Sequence, residues 1–479
     1  MIRRLILFEL RFWMRHPQLW IFLGLSFAFC FAIAVFEGGG VGSPGMVHVN
    51  SPLHVYELYA NLAFLWLPMV TAFVNATAIR DFACRTSDIV FSTVVTRRQY
   101  IVGRFVGSTL VALIPVLGIS LGLVVGSWVP YGDPIRFGPN NWLVHTQAIL
   151  WFGLTSIAFQ SALMFAIASH VRSTAAAFVT SVSLVVLSGI ASAYSTEVDN
   201  ALLSSLLDPF GNRALDQVTR YWSVVDNNTR LLPLLGPLTW NRLLWLGIGA
   251  AIFVFGYLRF SFTERKSNAA PIIAPVQDHG TGSGALPVVR LASGRSSQWR
   301  QFLGLVRSDL IGLLRTPITW IIIGLCLTML LFALSEVTSM FGNHSWPVTY
   351  NVIDLIRSVS LVIMVVIITF YSGELVWRDR ETNVDGISSG LPVRSRTIVL
   401  SKYAVLLTIG LGLLVLMGLA GIGRQLISGY THVQPGLYVT YLLIPGMFAF
   451  ALWSAIALAL KLLVNNKYIG LGVLMIPLS

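Results

Sequence analysis

The residues that could do chemistry are few and poorly arranged for catalysis. ATP hydrolysis on a P-loop needs a lysine after a glycine, so that backbone amides cradle the phosphates while the ammonium reaches them. The lysines are Lys266, Lys402, Lys461 and Lys467, and none follows a glycine. The eight histidines form no His-Glu-x-x-His, so no zincin site is encoded. Cys30, Cys84 and Cys326 are isolated, which suits small apolar fillers or a free thiol, not a disulfide or metal set. No catalytic, cofactor-binding or metal-ligating residue is assigned, and the chain reads as a non-enzyme.

The charges that remain are paired and positional. Asp354 and Arg357 are three apart near one end of an apolar run, where a helix makes them neighbours. They read as a neutralised headgroup-level pair or, alternatively, as a gate. Glu374 stands four residues before Arg378, a spacing that suits a structural pair over a proton relay. The densest paired charges are Arg80-Asp81, with Arg85, Asp88, Arg97 and Arg98 beyond them. Arg378-Asp379-Arg380 is the second set, followed by Asp385 and Arg394.

These charges are positioned by apolar elements. Of 479 residues, 55% are hydrophobic and 11% charged, against ~25% charged in soluble domains. Mean hydropathy is +0.75. This is an all-α polytopic membrane protein, not a soluble enzyme, a disordered chain or a disulfide scaffold. Runs long enough to cross a ~30 Å core lie near Pro17–Phe36, Tyr56–Ile79, Gly103–Val129, Trp142–Ser169, Ala175–Tyr194 and Asn241–Phe260. A second series lies near Pro317–Ser335, Asn351–Trp377, Tyr403–Ile422 and Leu437–Leu463. Alternate loops hold 25 of the 32 Lys+Arg, so the net charge of +12 is topological. The positive-inside rule puts the N-terminus and these loops in the cytoplasm. No basic run is interleaved with aromatics on a soluble face, and nucleic acid is not an expected partner.

The chain repeats itself. Arg15-His16-Pro17-Gln18-Leu19-Trp20 returns as Arg315-Thr316-Pro317-Ile318-Thr319-Trp320, and Glu9 returns as Asp309, at an offset of 300. A signal peptide would not be rebuilt in mid-chain, so the first run is a permanent span. It is preceded by a basic amphipathic stretch, Met1–His16, of the kind that lies in the headgroup plane. Arg80-Asp81, Asp88, Arg97 and Ile101-Val102 match Arg378-Asp379, Asp385, Arg394 and Ile398-Val399. Each half thus carries an equivalent charged loop. Ile89, Val90, Val94 and Val95 predict a short amphipathic helix in the first loop, which their β-branching weakens. Gly386, Gly390 and Pro392 shorten any helix in the second. Gly118, Gly122 and Gly126 predict close helix approach.

The expected domains are a first half at 1–262, with a lead-in helix and six spans, a flexible linker at 263–298, and a second half at 299–479. Ser195–Trp240 is too apolar for a solvated loop and predicts short helices leaning on the outer leaflet. The second half reaches only a fifth apolar piece, Tyr468–Ser479, too short to cross. The chain therefore reads as a fragment with its second half cut short.

Several segments together resemble ABC-2-type permeases, and more narrowly the membrane part of the bacterial permease/zinc aminopeptidase fusion family. They are Phe8-Glu9-Leu10-Arg11, Thr71-Ala72-Phe73-Val74, Arg80-Asp81-Phe82, Asp208-Pro209-Phe210-Gly211 and Tyr221-Trp222-Ser223-Val224. Asn241-Arg242-Leu243-Leu244-Trp245, Gly373-Glu374-Leu375-Val376-Trp377-Arg378 and Leu463-Val464-Asn465-Asn466-Lys467-Tyr468-Ile469-Gly470 complete the set. The resemblance implies an exporter permease of unknown substrate in the bacterial inner membrane, driven by a separate ABC ATPase subunit that hydrolyses the ATP. It implies that the loops at Arg80–Arg98 and Arg378–Arg396 dock on that subunit. Besides the ATPase and the bilayer, the expected partners are a second copy of the chain or a downstream zinc aminopeptidase domain. The alternatives are a non-transporting anchor for such a domain, or a secondary transporter. The latter predicts midplane acids and broken helices, whereas the acids here lie near span ends.

Overall fold

The computed structural model describes residues 1–38, 46–64, 66–84, 86–129, 134–171, 174–193, 201–260, 295–336, 339–340, 343–344, 346–381 and 393–463. Eight helices among them are long and apolar enough to cross a membrane. Their faces explain the length and composition of the runs. A helix can cross lipid because it satisfies its own backbone, and apolar side chains such as Trp20, Leu121, Phe255 and Leu419 stand exposed on the outside.

In the first half, α1 (Ile2–Met14) turns at Arg15-His16 into α2 (Pro17–Gly38). Pro17 opens α2, where a missing amide costs nothing. α3 (Pro52–Asn61), α4 (Trp66–Val70) and α5 (Ala76–Ala83) follow, then α6 (Ser87–Phe91), α7 (Arg97–Leu113) and α8 (Leu117–Gly126). α9 (Trp142–Ala148) continues through a π-helical segment, Ile149–Leu154, into α10 (Thr155–Val171). α11 (Thr174–Ala193) comes next. α12 (Ala201–Leu207), α13 (Asn212–Thr219) and α14 (Val224–Thr229) are short, and α15 (Pro237–Arg259) closes the half.

The second half begins with α16 (Arg295–Leu314) and α17 (Pro317–Glu336). α18 (Thr349–Glu381) and α19 (Ser395–Ile427) follow. α20 (Pro435–Leu437) leads through π-helical Tyr438–Leu443 into α21 (Ile444–Leu463). A two-residue ladder, Ser339–Met340 against Asn343–His344, is the β-structure among the described residues.

The repeat is geometric as well as textual. Trp20 Nε1 donates to Met14 O at 2.9 Å, and Trp320 Nε1 donates to Leu314 O at 2.9 Å, bridging the same turn in both halves. α1 packs on α7, and α16 packs on α19. The halves meet where α11 lies against α17: Val182 and Val186 join the second-half core, and Phe178 stacks on Phe370 at 4.8 Å.

Four expectations change. The run Tyr56–Ile79 is not one helix. Its chain passes through a 3₁₀ turn at Leu62–Phe64 and a π-helical segment at Thr71–Asn75. Pro68 lacks an amide donor inside this run, and a regular ladder cannot continue past it. The predicted amphipathic loop helix exists but spans only Ser87–Phe91, leaving Val94 and Val95 outside it. The second half starts helically at Arg295, inside the stretch read as linker. Arg104, Lys402 and Lys461, counted as loop cations, are buried within helices. Residues 261–294, the second charged loop from 382 to 392 and Tyr468–Ser479 lie outside the described residues.

The glycine stripe does what its spacing predicts. A Cβ at Gly118 would lie 2.8 Å from Leu23 O, one at Gly122 2.5 Å from Phe27 O, and one at Gly126 2.5 Å from Ala34 Cβ. α2 and α8 touch backbone to side chain along this line. Substituting Gly122→Val is expected to cost about 1–3 kcal/mol through overpacking, read as a lower thermal midpoint in detergent. Gly247, with nothing within 4 Å of a Cβ, is the control and should tolerate alanine.

Candidate functional site

Beneath the first charged loop sits a buried ionic cluster that ties three elements together. Glu9 on α1 is fully buried. Arg80 Nη2 on α5 donates to Glu9 Oε1 at 2.5 Å, and Arg104 Nη1 on α7 donates to the same oxygen. Arg104 Nη2 reaches Asp81 Oδ2 at 2.5 Å, and Tyr100 Oη donates to that oxygen at 2.7 Å. Thr77 Oγ1 donates to Glu9 Oε2 at 3.4 Å and receives Trp13 Nε1 at 3.2 Å. The guanidinium of Arg80 also lies over the Phe12 ring at 4.3 Å and the Phe8 ring at 5.4 Å. The lead-in helix, the end of the second span and the start of the third are thus joined by one shared carboxylate.

The local sequence builds this arrangement. Thr96 caps α7 with a reciprocal box: its Oγ1 accepts Gln99 N, and Gln99 Oε1 accepts Thr96 N, each at 3.3 Å. From that start, Tyr100 and Arg104 are one turn apart and face α1 and α5 together. Gly103 and Gly107 let α1 close in, since a Cβ there would fall 2.7 Å from Leu5 Cβ and 2.8 Å from Glu9 Cβ. Arg97 fixes the other side, donating to Tyr257 O on α15 with its guanidinium 4.9 Å from the Tyr257 ring.

Above the cluster the loop projects. Thr86 and α6 begin from Asp81, whose carbonyl accepts Thr86 N at 2.9 Å. Ile89 is 68% exposed and Val94 99% exposed, and Asp88 and Arg98 are exposed beside them. An apolar tip on a charged, rigidly footed loop is a surface suited to a protein partner.

Burial pushes the Glu9 carboxyl up to about 7, against the opposing pull of Arg80. An acid raised in this way holds its proton more tightly folded than unfolded. Its contribution to stability is therefore fully present below about 4.5 and is lost as pH rises through about 7. The wild-type chain should gain thermal stability between pH 8 and pH 5 relative to Glu9→Gln, whose neutral amide does not titrate. Parallel midpoint-against-pH curves for the two proteins would contradict this.

The other sequence-predicted residues are placed as follows. Arg80, Asp81 and Arg97 join the framework, while Asp88 and Arg98 belong to the exposed surface. Arg394 is exposed at the start of α19. Arg378, Asp379 and Arg380 lie on α18, while Arg85 and Asp385 fall outside the described residues. Asp354 and Arg357 are both exposed. Among the described residues they form no ion pair with each other, so the pairing expected from their i,i+3 spacing is not made.

Sequence reasoning missed Tyr100 and took Arg104 for a loop cation, and it saw Glu9 as a repeat mate of Asp309 and a member of the Phe8-Glu9-Leu10-Arg11 segment, without its partners. It also missed two buried second-half lysines. Lys402 Nζ donates to Leu375 O, and Lys461 Nζ donates to Thr369 O at 2.7 Å, so both grip α18 around Gly373-Glu374. Gly386-Ile387-Ser388-Ser389-Gly390 has nucleophile-elbow spacing that also escaped notice. It lies outside the described residues.

On the opposite side of the first half, the Asp208-Pro209-Phe210-Gly211 and Asn241-Arg242 segments form a clamp. Asp208 accepts Phe210 N, Arg213 N and Ser188 Oγ, each at 3.0 Å. Asn241 Nδ2 donates to Asp208 O at 2.9 Å, and Arg242 Nη1 donates to Ser156 Oγ at 3.1 Å. Gly211 adopts φ +86° directly against the Arg242 guanidinium, where no Cβ fits. The short helices predicted for this loop are α12–α14; α12 and α13 pack on α15, and α13 and α14 pack on α3.

The architecture of two related helical halves, each with a lead-in helix packed on its third span, defines an all-α polytopic membrane protein. Two family models, both described as ABC-2 family transporter protein, match residues 50–208 and 306–476. The chain is accordingly an ABC-2-type permease, a multi-pass integral membrane transport subunit with one such domain in each half. No curated protein and no solved structure matches it.

Proposed function

We propose that this permease exports its substrate under power from a separate ABC ATPase subunit, which docks on the loop between Arg80 and Arg98. The observation that carries the reading is the joint presence of an exposed apolar tip, Ile89 and Val94, and a buried ionic foot, Glu9–Arg80–Arg104–Asp81. A push on the tip is delivered through stiff, charge-assisted bonds to α1, and from there through the Arg15-His16 turn into α2. The same push reaches α7 directly. Interactions of this kind have well-defined geometry and transmit displacement instead of absorbing it.

The distribution of basic residues supports a cytoplasmic N-terminus and a cytoplasmic docking face, in a bacterial inner membrane. ABC-2 permeases generally work with an ABC ATPase subunit, and a chain whose lysines build no P-loop depends on one. The motifs shared with the permease/aminopeptidase fusion family support membership of that subgroup. The test is ATP-driven accumulation of a substrate library in inverted vesicles carrying this chain with its ATPase. ATP-dependent uptake, lost when the chain is omitted, is expected. Normal uptake after reversal of Arg80 and Asp81 charges would sink the coupling role, and absence of any ATP-dependent uptake would favour the anchor reading.

A further inference from the structure

The exposed side of α1 borders an open cavity of about 590 Å³, and its walls include Arg4, Arg11, Arg15, His16, Phe8 and Phe12. We propose that this cavity is a site for the phosphate headgroup of an anionic phospholipid.

Its chemistry is one-sided. Three guanidinium groups and an imidazole line it, and no carboxylate does, because Glu9 is turned to the α7 side and fully buried. Arg4, Arg11 and Arg15 are exposed, so their donors are available to phosphate oxygens. The apolar members match the other end of a lipid: Phe8 is 50% exposed and Leu7 39% exposed on the same face. A soluble anion has no use for exposed rings, whereas a phospholipid fills both kinds of wall.

The location agrees. Arg15 and His16 immediately precede Pro17, the first residue of a membrane-crossing helix. The Trp20 to Met14 bond and the His16 Nδ1 contact with Phe12 O at 2.7 Å fix the corner between them. The cavity therefore opens at the level where headgroups end and the span begins.

The internal repeat provides a built-in comparison. At the offset of 300, Arg4, Phe8, Arg11 and Phe12 are replaced by Gly304, Ser308, Ile311 and Gly312; Arg315 stands for Arg15 and Arg307 for Leu7, so the equivalent corner keeps two cations and neither ring. The scaffold is duplicated but the anion-binding set is not, so the set is not a requirement of the helical corner itself. The two rings that wall the cavity are also those under the Arg80 guanidinium. A bound headgroup thus sits one ring away from the ionic cluster.

The inference rests on the cavity and not on the transport reading, and binding is its readout. The full chain is placed in phosphatidylcholine nanodiscs with spin-labelled phosphatidylglycerol, and the immobilised lipid fraction is measured. Each basic residue near an anionic surface strengthens binding about fivefold, so Arg4→Gln with Arg11→Gln and Arg15→Gln should weaken phosphatidylglycerol retention at least about tenfold. Arg307→Gln with Arg315→Gln in the second half should leave it unchanged. Single Arg11→Gln, a milder change on an exposed face, should give an intermediate loss. Equal retention by the triple variant would overturn the proposal, as would equal retention of phosphatidylcholine. Displacement of the lipid by millimolar inorganic phosphate would mark a free-anion site instead, and displacement by an added ATPase subunit would assign the face to that protein; either overturns it.

Discussion

Glu9→Ala is expected to lose about 3–5 kcal/mol of stability, because removing one partner leaves buried arginines uncompensated. Arg80 and Arg104 both converge on this carboxylate, and Arg104 is 5% exposed. The more informative variant is Glu9→Gln. The amide oxygen still accepts from a guanidinium, so the fold should hold. What is lost is the charge-assisted character that the bond has above about pH 7, where Glu9 is ionised, about 1 kcal/mol beyond a neutral one. In proteoliposomes with the ATPase at pH 8, we expect Glu9→Gln to raise the ATP hydrolysed per substrate moved. A purely structural Glu9 would lower protein yield without moving that ratio. Asp81→Asn should behave in the same direction, since Asp81 receives both Arg104 and Tyr100.

Replacing Ile89 and Val94 together with aspartate should abolish ATPase association while leaving the permease itself intact. Both side chains are exposed, and exposed substitutions away from special features change stability by only about 0.5 kcal/mol or less. Apolar anchors at the centre of an interface each contribute about 2 kcal/mol or more. The pair should therefore weaken association at least about a hundredfold, read by titrating the labelled ATPase onto the chain in nanodiscs. An unchanged affinity would remove this loop from the docking surface. Ser92→Ala, at an exposed neighbour that bonds only its own turn, should have no effect.

Much of this was legible in the sequence where a simple periodic or compositional signal existed. The repeat at offset 300 found both Trp-bridged corners. The glycine stripe found the α2–α8 contact, and loop composition foretold α12–α14. The reading failed where position within a helix decides environment. Arg104 lies seven residues into α7, about 10 Å along the axis at 1.5 Å per residue. A charge count near span ends takes such a residue for a loop cation. Its partner Glu9 lies 95 positions away, and no local rule pairs residues at that distance. Lys402 and Lys461 escaped for the same reason, since their acceptors are backbone carbonyls on another helix. The broken second span was hidden by uniform hydropathy, which registers lipid compatibility and not helical regularity. Conversely, the i,i+3 spacing of Asp354 and Arg357 suggested a pair, yet spacing only permits contact, and both heads are exposed.

The α6 loop as motor-docking site is most directly tested by site-specific photo-crosslinking. A benzoylphenylalanine placed at Val94 in whole cells should yield an adduct whose partner, identified by mass spectrometry, carries a P-loop. The same probe at Leu235, exposed on the opposite side near the Asp208 clamp, should yield none. An ATPase adduct from Leu235, or the absence of one from Val94 when the two proteins co-purify, would contradict both the docking site and the orientation.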